Sequence, residues 1–294
     1  MWRGSDCKQK QLRLIAAHLT SLASLQPDQT FMAASPLAPI ARRLALLAAA
    51  AAAAAPLAPA GASSFSWLPL GDSITWGCGN GVLPHEPDDG CEADAASYRI
   101  PVCQALEQAN VSITTLGSRS AGPASSPAAW RAHEGHPGWR IDELAAIAPQ
   151  WAALAPQVVT FLVGANDCLQ GDGAPTAIAR MAALLNTTRS LLPASSKVLV
   201  ASMLDVPDGA AKDCQVALNA ALPALVKLAD GGRGAFSYVP VAEGTVGVCG
   251  NDKTTYSIGD GVHPNAAGHA RVASVFALYM RYVLCPNFRV DQSC

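Results

Sequence analysis

Several features that would name a partner at once are missing from this 294-residue chain. It has no pair of C-x-x-C motifs, so a structural zinc site is not expected. The acidic group Glu86, Asp88, Asp89, Glu92 and Asp94 lacks the D-x-D-x-D-G spacing of a calcium loop. No metal-ligand set is assigned. No basic patch stands out, which argues against nucleic-acid binding. The longest apolar run, residues 44–55, has twelve residues, short of the roughly 20 needed to cross a bilayer. Neither an internal repeat nor a second domain is evident.

That short run is informative in another way. "LALLAAAAAAAA" follows Arg42 and Arg43, ends at Pro56 and is trailed by "APAGA" at 58–62. A basic flank, an apolar stretch and small residues at cleavage spacing are the layout of a secretory signal. The signal would start at Met32, with residues 1–31 an upstream extension. A bipartite organelle-targeting peptide is the alternative, and the Arg pair would also suit a twin-arginine route. The expected division is therefore residues 1–62, extension and signal, and residues 63–294, one domain. Six of the 20 Lys/Arg and two of the 22 Asp/Glu lie in 1–62, which leaves 14 basic and 20 acidic residues and a net charge of −6. After signal removal no membrane association is expected, and a monomer is.

Cysteine use agrees with export. Eight of the nine cysteines remain after residue 62, and an even number beyond a signal suggests disulfides. Cys285–Cys294 and Cys78–Cys91 would close local loops. Cys168 and Cys214 both follow expected strand ends and form the third favoured pair. Two N-x-S/T sequons, at Asn110 and Asn186, also fit an exported chain.

Along 63–294, apolar strand-like runs alternate with helical patterns. Strands are expected at 65–71, 111–117, 157–164, 197–204 and 235–241. Helices are expected at 97–109, 140–154 (interrupted near Pro149), 174–192, 214–230 and 264–284. Such alternation implies an α/β fold, a three-layer sandwich around a five-stranded parallel sheet. Ligands then bind beyond the carboxyl ends of the strands. Ser73, Gly117, Asn166 and Asp205 all follow strand ends and would share that rim. The stretches 77–94 and 118–139 should overhang it as loops.

Ser73, in "GDSIT", is a candidate nucleophile if a base can take its proton. "GDGVHPN" (259–265) offers one, because Asp260 and His263 are three positions apart in what reads as one tight turn. Asp260 could accept the Nδ1–H of His263, leaving Nε2 to face Ser73. Pro264 would sit in the first turn of the last helix. The backbone N–H groups of Ser73 and Gly117 and the side-chain amide of Asn166 are candidate oxyanion donors. Asp72, Trp76, His136 and Trp139 are candidates to line the substrate cleft. Asp72 is also expected to bond its own loop, and Asp167 to brace the Asn166 turn.

"GDSIT", the glycine of "TTLGSRS", "GAND" and "DGVHPN" resemble, in order, the four blocks of the SGNH/GDSL hydrolases. "HEGHPGWRIDEL" (133–144) is similar to a segment of carbohydrate esterase family three, most of whose members are acetylxylan esterases. The resemblance implies flavodoxin-like strand order, Ser73 as nucleophile, His263 as base and Asp260 as its orienter. It also implies an oxyanion hole of Ser73, Gly117 and Asn166. The expected activity is that of a secreted serine esterase releasing small acyl groups, acetate first, from a polysaccharide. A lipase or thioesterase, or an idle carbohydrate-binding protein, are the rivals. The chemistry needs neither metal nor organic cofactor. Trp76, "GAND" for the commoner "GTND", and the 78–91 insert depart from the pattern; Trp76 and the insert can reshape the acyl pocket.

Overall fold

The structure, a computed structural model, describes residues 63–78, 97–245 and 257–285. The signal-like run, the 78–91 insert beyond Cys78, and Cys249 and Cys294 lie outside the described residues.

Strand β1 (Ser63–Gly71) runs through the middle of the sheet. It pairs in parallel with β2 (Val111–Thr115) on one side and with β5 (Val158–Leu162) on the other. Next come β6 (Lys197–Ala201) and β7 (Phe236–Val239), again parallel. These five give the order β2-β1-β5-β6-β7, the flavodoxin-like arrangement that the resemblance implied. All five residues of β5, "VVTFL", are buried, as expected of a strand covered on both faces. In β2 only alternate positions are buried.

Two apolar cores flank this sheet. One packs Trp67, Val111 and Ile113 against α2 (Arg99–Gln108), the short α8 (Val241–Gly244) and the closing helix α9 (Ala266–Leu284), through Leu106, Val241, Phe276 and Met280. The other packs Leu68, Val159 and Phe161 against five helices. These are α3 (Ile141–Ala146), α4 (Ala148–Ala152), α5 (Ala165–Leu169), α6 (Gly173–Leu191) and α7 (Ala210–Asp230). Three layers result. Among the described residues no helix is long and apolar enough to cross a membrane.

The 118–139 stretch corrects the expectation of an overhanging loop and of five strands. Its β3 (Arg119–Ser120) and β4 (Ala132–Gly135) form an antiparallel pair. β4 then pairs in parallel with Leu70 and Gly71 of β1, making a seven-stranded sheet. The reason is a difference in length. β2 stops pairing with β1 at Trp67↔Thr115, so the last turn of β1 would leave buried backbone groups unpaired. β4 occupies that edge.

Smaller differences have local causes. Pro264 lies outside α9, because Asn265 caps the helix by accepting from Gly268 N–H at 3.0 Å. Cys168 and Cys214 form the expected disulfide. Cys78 and Cys285 are also disulfide-bonded, but the other half of each expected pair lies outside the described residues. Cys103 remains a thiol on the buried face of α2, and burial pushes it up to about 12. The even cysteine count therefore does not mean complete pairing.

Candidate active site

The carboxyl end of β1 turns sharply into the four-residue helix α1 (Ser73–Trp76). Gly71 permits the turn: a Cβ there would lie 2.2 Å from Thr75 Oγ1 and 2.3 Å from the Leu162 carbonyl. Asp72 caps the helix, its Oδ1 accepting from Ile74 N–H at 3.0 Å. Asp72 is buried, and burial pushes its carboxyl up to about 6 although the cap bond opposes this. It therefore serves its own loop. Ser73 is the first helical residue, 6 % exposed.

Beneath α1 is a side chain that sequence reasoning passed over. Arg99 is fully buried and makes no ion pair among the described residues. It donates to five backbone carbonyls, those of Thr75, Trp76, Ala121, Trp130 and Arg131. Burial lowers the guanidinium to about 10, so it stays charged at neutral pH. Two of these carbonyls end α1, and the others belong to the 118–139 stretch. Arg99→Met should therefore leave several buried acceptors unsatisfied. We expect a loss of about 3 kcal/mol or more, since each such group costs about 1–3 kcal/mol. Urea unfolding of both forms measures it; a shift under 1 kcal/mol would refute this account. In the sequence, "SYRIPV" reads like a helix start with a surface arginine, so nothing there signals this role.

The second arm is the turn before α9. Ser257 bridges to Pro264, and Ile258 N–H donates to the His263 carbonyl at 3.1 Å. Inside this turn Asp260 Oδ1 accepts from the N–H groups of Val262 and His263, both at 2.9 Å. The His263 ring bonds Asp260 Oδ2 through Nδ1 at 2.6 Å and Ser73 Oγ through Nε2 at 2.9 Å. Burial works to raise the Asp260 carboxyl. The His263 ring and the two backbone N–H groups outweigh it and hold Asp260 below the usual aspartate range. An ionised Asp260 accepts the Nδ1–H, which leaves the Nε2 lone pair facing the serine hydroxyl.

Gly117 lies just beyond β2 with φ +146°. A Cβ at this position would be 2.1 Å from the His133 carbonyl carbon and oxygen, so no other residue fits. Its neighbours are held on both sides: Leu116 N–H donates to Trp67 O at 2.7 Å, and Ser118 N–H donates to Glu134 Oε2 at 2.7 Å. Asn166 sits on α5 (Ala165–Leu169), four residues past β5. One N–H of its amide donates to Trp139 O at 2.9 Å. Asp167 is buried against Ile141 N–H and the Arg180 guanidinium. Burial raises its carboxyl, a shift that these two bonds oppose. Asp205, expected on the same rim, is ion-paired with Lys212.

The remaining candidates group together. His136 is buried, not solvent-facing. Its N–H donates to Gly71 O, and its ring stacks on Trp139 at 4.0 Å. Trp76 meets His133 edge-on at 5.0 Å, with Arg119 over its indole ring. Glu134, between the two histidines, was not singled out from sequence. It is 3 % exposed and accepts from the His136 ring and from both N–H and O–H of Ser118. The signal in the sequence is "HEGH", which sets a carboxylate two residues from His136.

Fold and motif order agree with what sequence and structure comparisons find. The chain matches the GDSL-like Lipase/Acylhydrolase family over residues 70–271. It resembles the Clostridium thermocellum family 3 carbohydrate esterase at 26 % identity and TM-score 0.60, over 76 % of this chain and 98 % of that one. A carbohydrate esterase family 3 structure from Talaromyces cellulolyticus is 23 % identical, with TM-score 0.59 over 75 % of this chain and 98 % of that one. Axe2, an acetylxylan esterase from Geobacillus stearothermophilus, is 16 % identical, with TM-score 0.51 over 78 % and 97 %; these last two speak to fold alone. A search of curated proteins returns no match. The family match and the likeness to the family 3 carbohydrate esterase support an esterase. The chain belongs to the GDSL-like lipase/acylhydrolase family.

Proposed function

We propose that the protein is a secreted serine esterase that removes small acyl groups, acetyl foremost, from carbohydrate hydroxyls. The reading is supported above all by the hydrogen-bonded row Ser73–His263–Asp260, with Nε2 2.9 Å from Oγ. In this reading Ser73 Oγ attacks the ester carbonyl as His263 Nε2 takes its proton. Asp260 holds the ring and stabilises the imidazolium. The N–H groups of Ser73 and Gly117 and the free N–H of the Asn166 amide receive the oxyanion. His263 then protonates the sugar oxygen as its bond to the acyl carbon breaks, and the sugar leaves as the free hydroxyl. Water, deprotonated by His263, attacks the acyl-enzyme and releases the acid.

The acetyl and carbohydrate parts rest on likeness to the family 3 carbohydrate esterase. Secretion rests on the 32–62 segment, whose removal would leave the 63–294 domain. A series of p-nitrophenyl esters tests the acyl preference. We expect kcat/KM to be highest for acetate and to fall at least about tenfold by octanoate, because a pocket cut for one methyl cannot bury a chain without strain. A maximum at octanoate or beyond would favour the lipase reading. Release of acetate from acetylated xylan or chitin oligosaccharides by the 63–294 protein then tests the sugar class.

A further inference from the structure

Glu134 has a connectivity that ester hydrolysis by Ser73 and His263 does not itself require. Glu134 is 3 % exposed, and among the described residues the side chain that meets its carboxylate beside Ser118 is the His136 ring, not a Lys or Arg. Taking a carboxylate out of water is costly, and a merely space-filling position would be better served by an apolar side chain. The lining of this one group accounts for the cost. Oε2 accepts Ser118 N–H at 2.7 Å, and Oε1 accepts Ser118 O–H at 2.7 Å and His136 Nε2–H at 2.8 Å. Burial would raise the carboxyl, but these three donors hold it below the usual glutamate range.

The two donor residues, Ser118 and His136, lead to different arms of the site. Ser118 follows Gly117, so its peptide plane is anchored at Glu134 while Leu116 is anchored at Trp67. The His136 ring, fixed by Glu134, stacks on Trp139 at 4.0 Å. The Trp139 carbonyl then takes one N–H of the Asn166 amide at 2.9 Å, which turns the other away from that bond. His136 is also tied by its N–H to Gly71 O, the end of the strand that delivers Ser73.

We propose that Glu134 is a positioning residue for the oxyanion hole, clamping the Gly117 turn through Ser118 and the Asn166 carboxamide through His136 and Trp139. This deepens, and rests on, the esterase reading above. Oxyanion donors act only when they already sit where charge will develop, and one buried carboxylate shared by both arms supplies that pre-organisation.

Glu134→Gln keeps the shape but presents an NH₂ where donors now point, so one arm is released. We expect kcat on p-nitrophenyl acetate to fall about 10–100-fold, the scale of a small misplacement of reacting groups, with KM within about twofold. In the Asn166→Ala background the same change should cost at least about threefold less, because the two residues share one effect. A kcat within twofold of the parent, or the same fold-loss in both backgrounds, would overturn the proposal. If Glu134→Gln does not fold, Ser118→Ala removes a single bond. A drop in kcat with an unchanged melting temperature supports the clamp, and unchanged kcat overturns it. Ser73→Ala and Asn166→Ala serve as controls on the reading beneath: full turnover in Ser73→Ala would sink the esterase reading. Normal losses in both controls with a silent Glu134→Gln would sink only the clamp.

Discussion

Ser73→Ala is expected to lower kcat by about 10⁴-fold or more, and His263→Ala by a similar factor, with the double variant no worse than either alone. The non-additivity is the stronger part of this expectation. Oγ lies 2.9 Å from Nε2, and each is useful only through the other: an alcohol is a poor nucleophile without a base, and the base has no proton to take without the alcohol. Once one is gone, removing the second changes little. What survives is the contribution of the oxyanion donors and of binding. Pre-steady-state and steady-state hydrolysis of p-nitrophenyl acetate measure it, with circular dichroism to establish that each variant is folded. If the two single losses multiply in the double variant, or if Ser73→Ala keeps its turnover, the row of hydrogen bonds has no catalytic meaning. Asp260→Asn would keep its amide oxygen on the two backbone donors, Val262 and His263 N–H. It would nevertheless turn its NH₂ toward His263 Nδ1, favour the tautomer that carries the proton on Nε2, and lower kcat by about 10⁴-fold.

Asn166→Ala should lower kcat by about 10²–10³-fold while KM changes little, as removal of one oxyanion donor does elsewhere. The two N–H bonds of the Asn166 amide are unequal. One is committed to the Trp139 carbonyl at 2.9 Å, which fixes the plane of the amide and leaves the second available to a substrate oxygen. The loss therefore falls on the transition state, where charge develops, and not on ground-state binding. Asn166→Asp should be at least as damaging. It keeps the size but sets a carboxylate against the Trp139 carbonyl and against the incoming negative charge. Progress curves at several substrate concentrations separate kcat from KM. A rise in KM with unchanged kcat would reassign Asn166 to substrate binding, and a variant with both constants intact would remove it from the site.

Much of this candidate site is legible in the sequence alone. Asp260 and His263 share one turn because their bonds run between residues two and three apart. Such bonds depend on local chemistry that a spacing of carboxylate, glycine and histidine already shows. The same holds for Asp72, whose cap bond reaches only to Ile74. Less legible was the 118–139 stretch. Its prolines and serines read as a loop, yet β4 had an unpaired end of β1 to fill. Arg99 and Glu134 were missed for a related reason. A charged residue is taken for a surface residue unless burial is known, and burial belongs to the whole fold.

What the sequence determined by itself was the order of the five long parallel strands and of the main helices between them, the turn chemistry at their ends and the candidates for the reacting groups. These follow from side-chain periodicity and from hydrogen bonds between near neighbours. Only the tertiary structure decided that Ser73 meets His263 across 190 residues, and that one buried carboxylate joins Ser118 to His136. The physical reason is that contacts between distant segments exist only once the sheet has assembled and removed water from between them. The free energy of that burial is a sum over the entire core, and no short stretch of chain carries it.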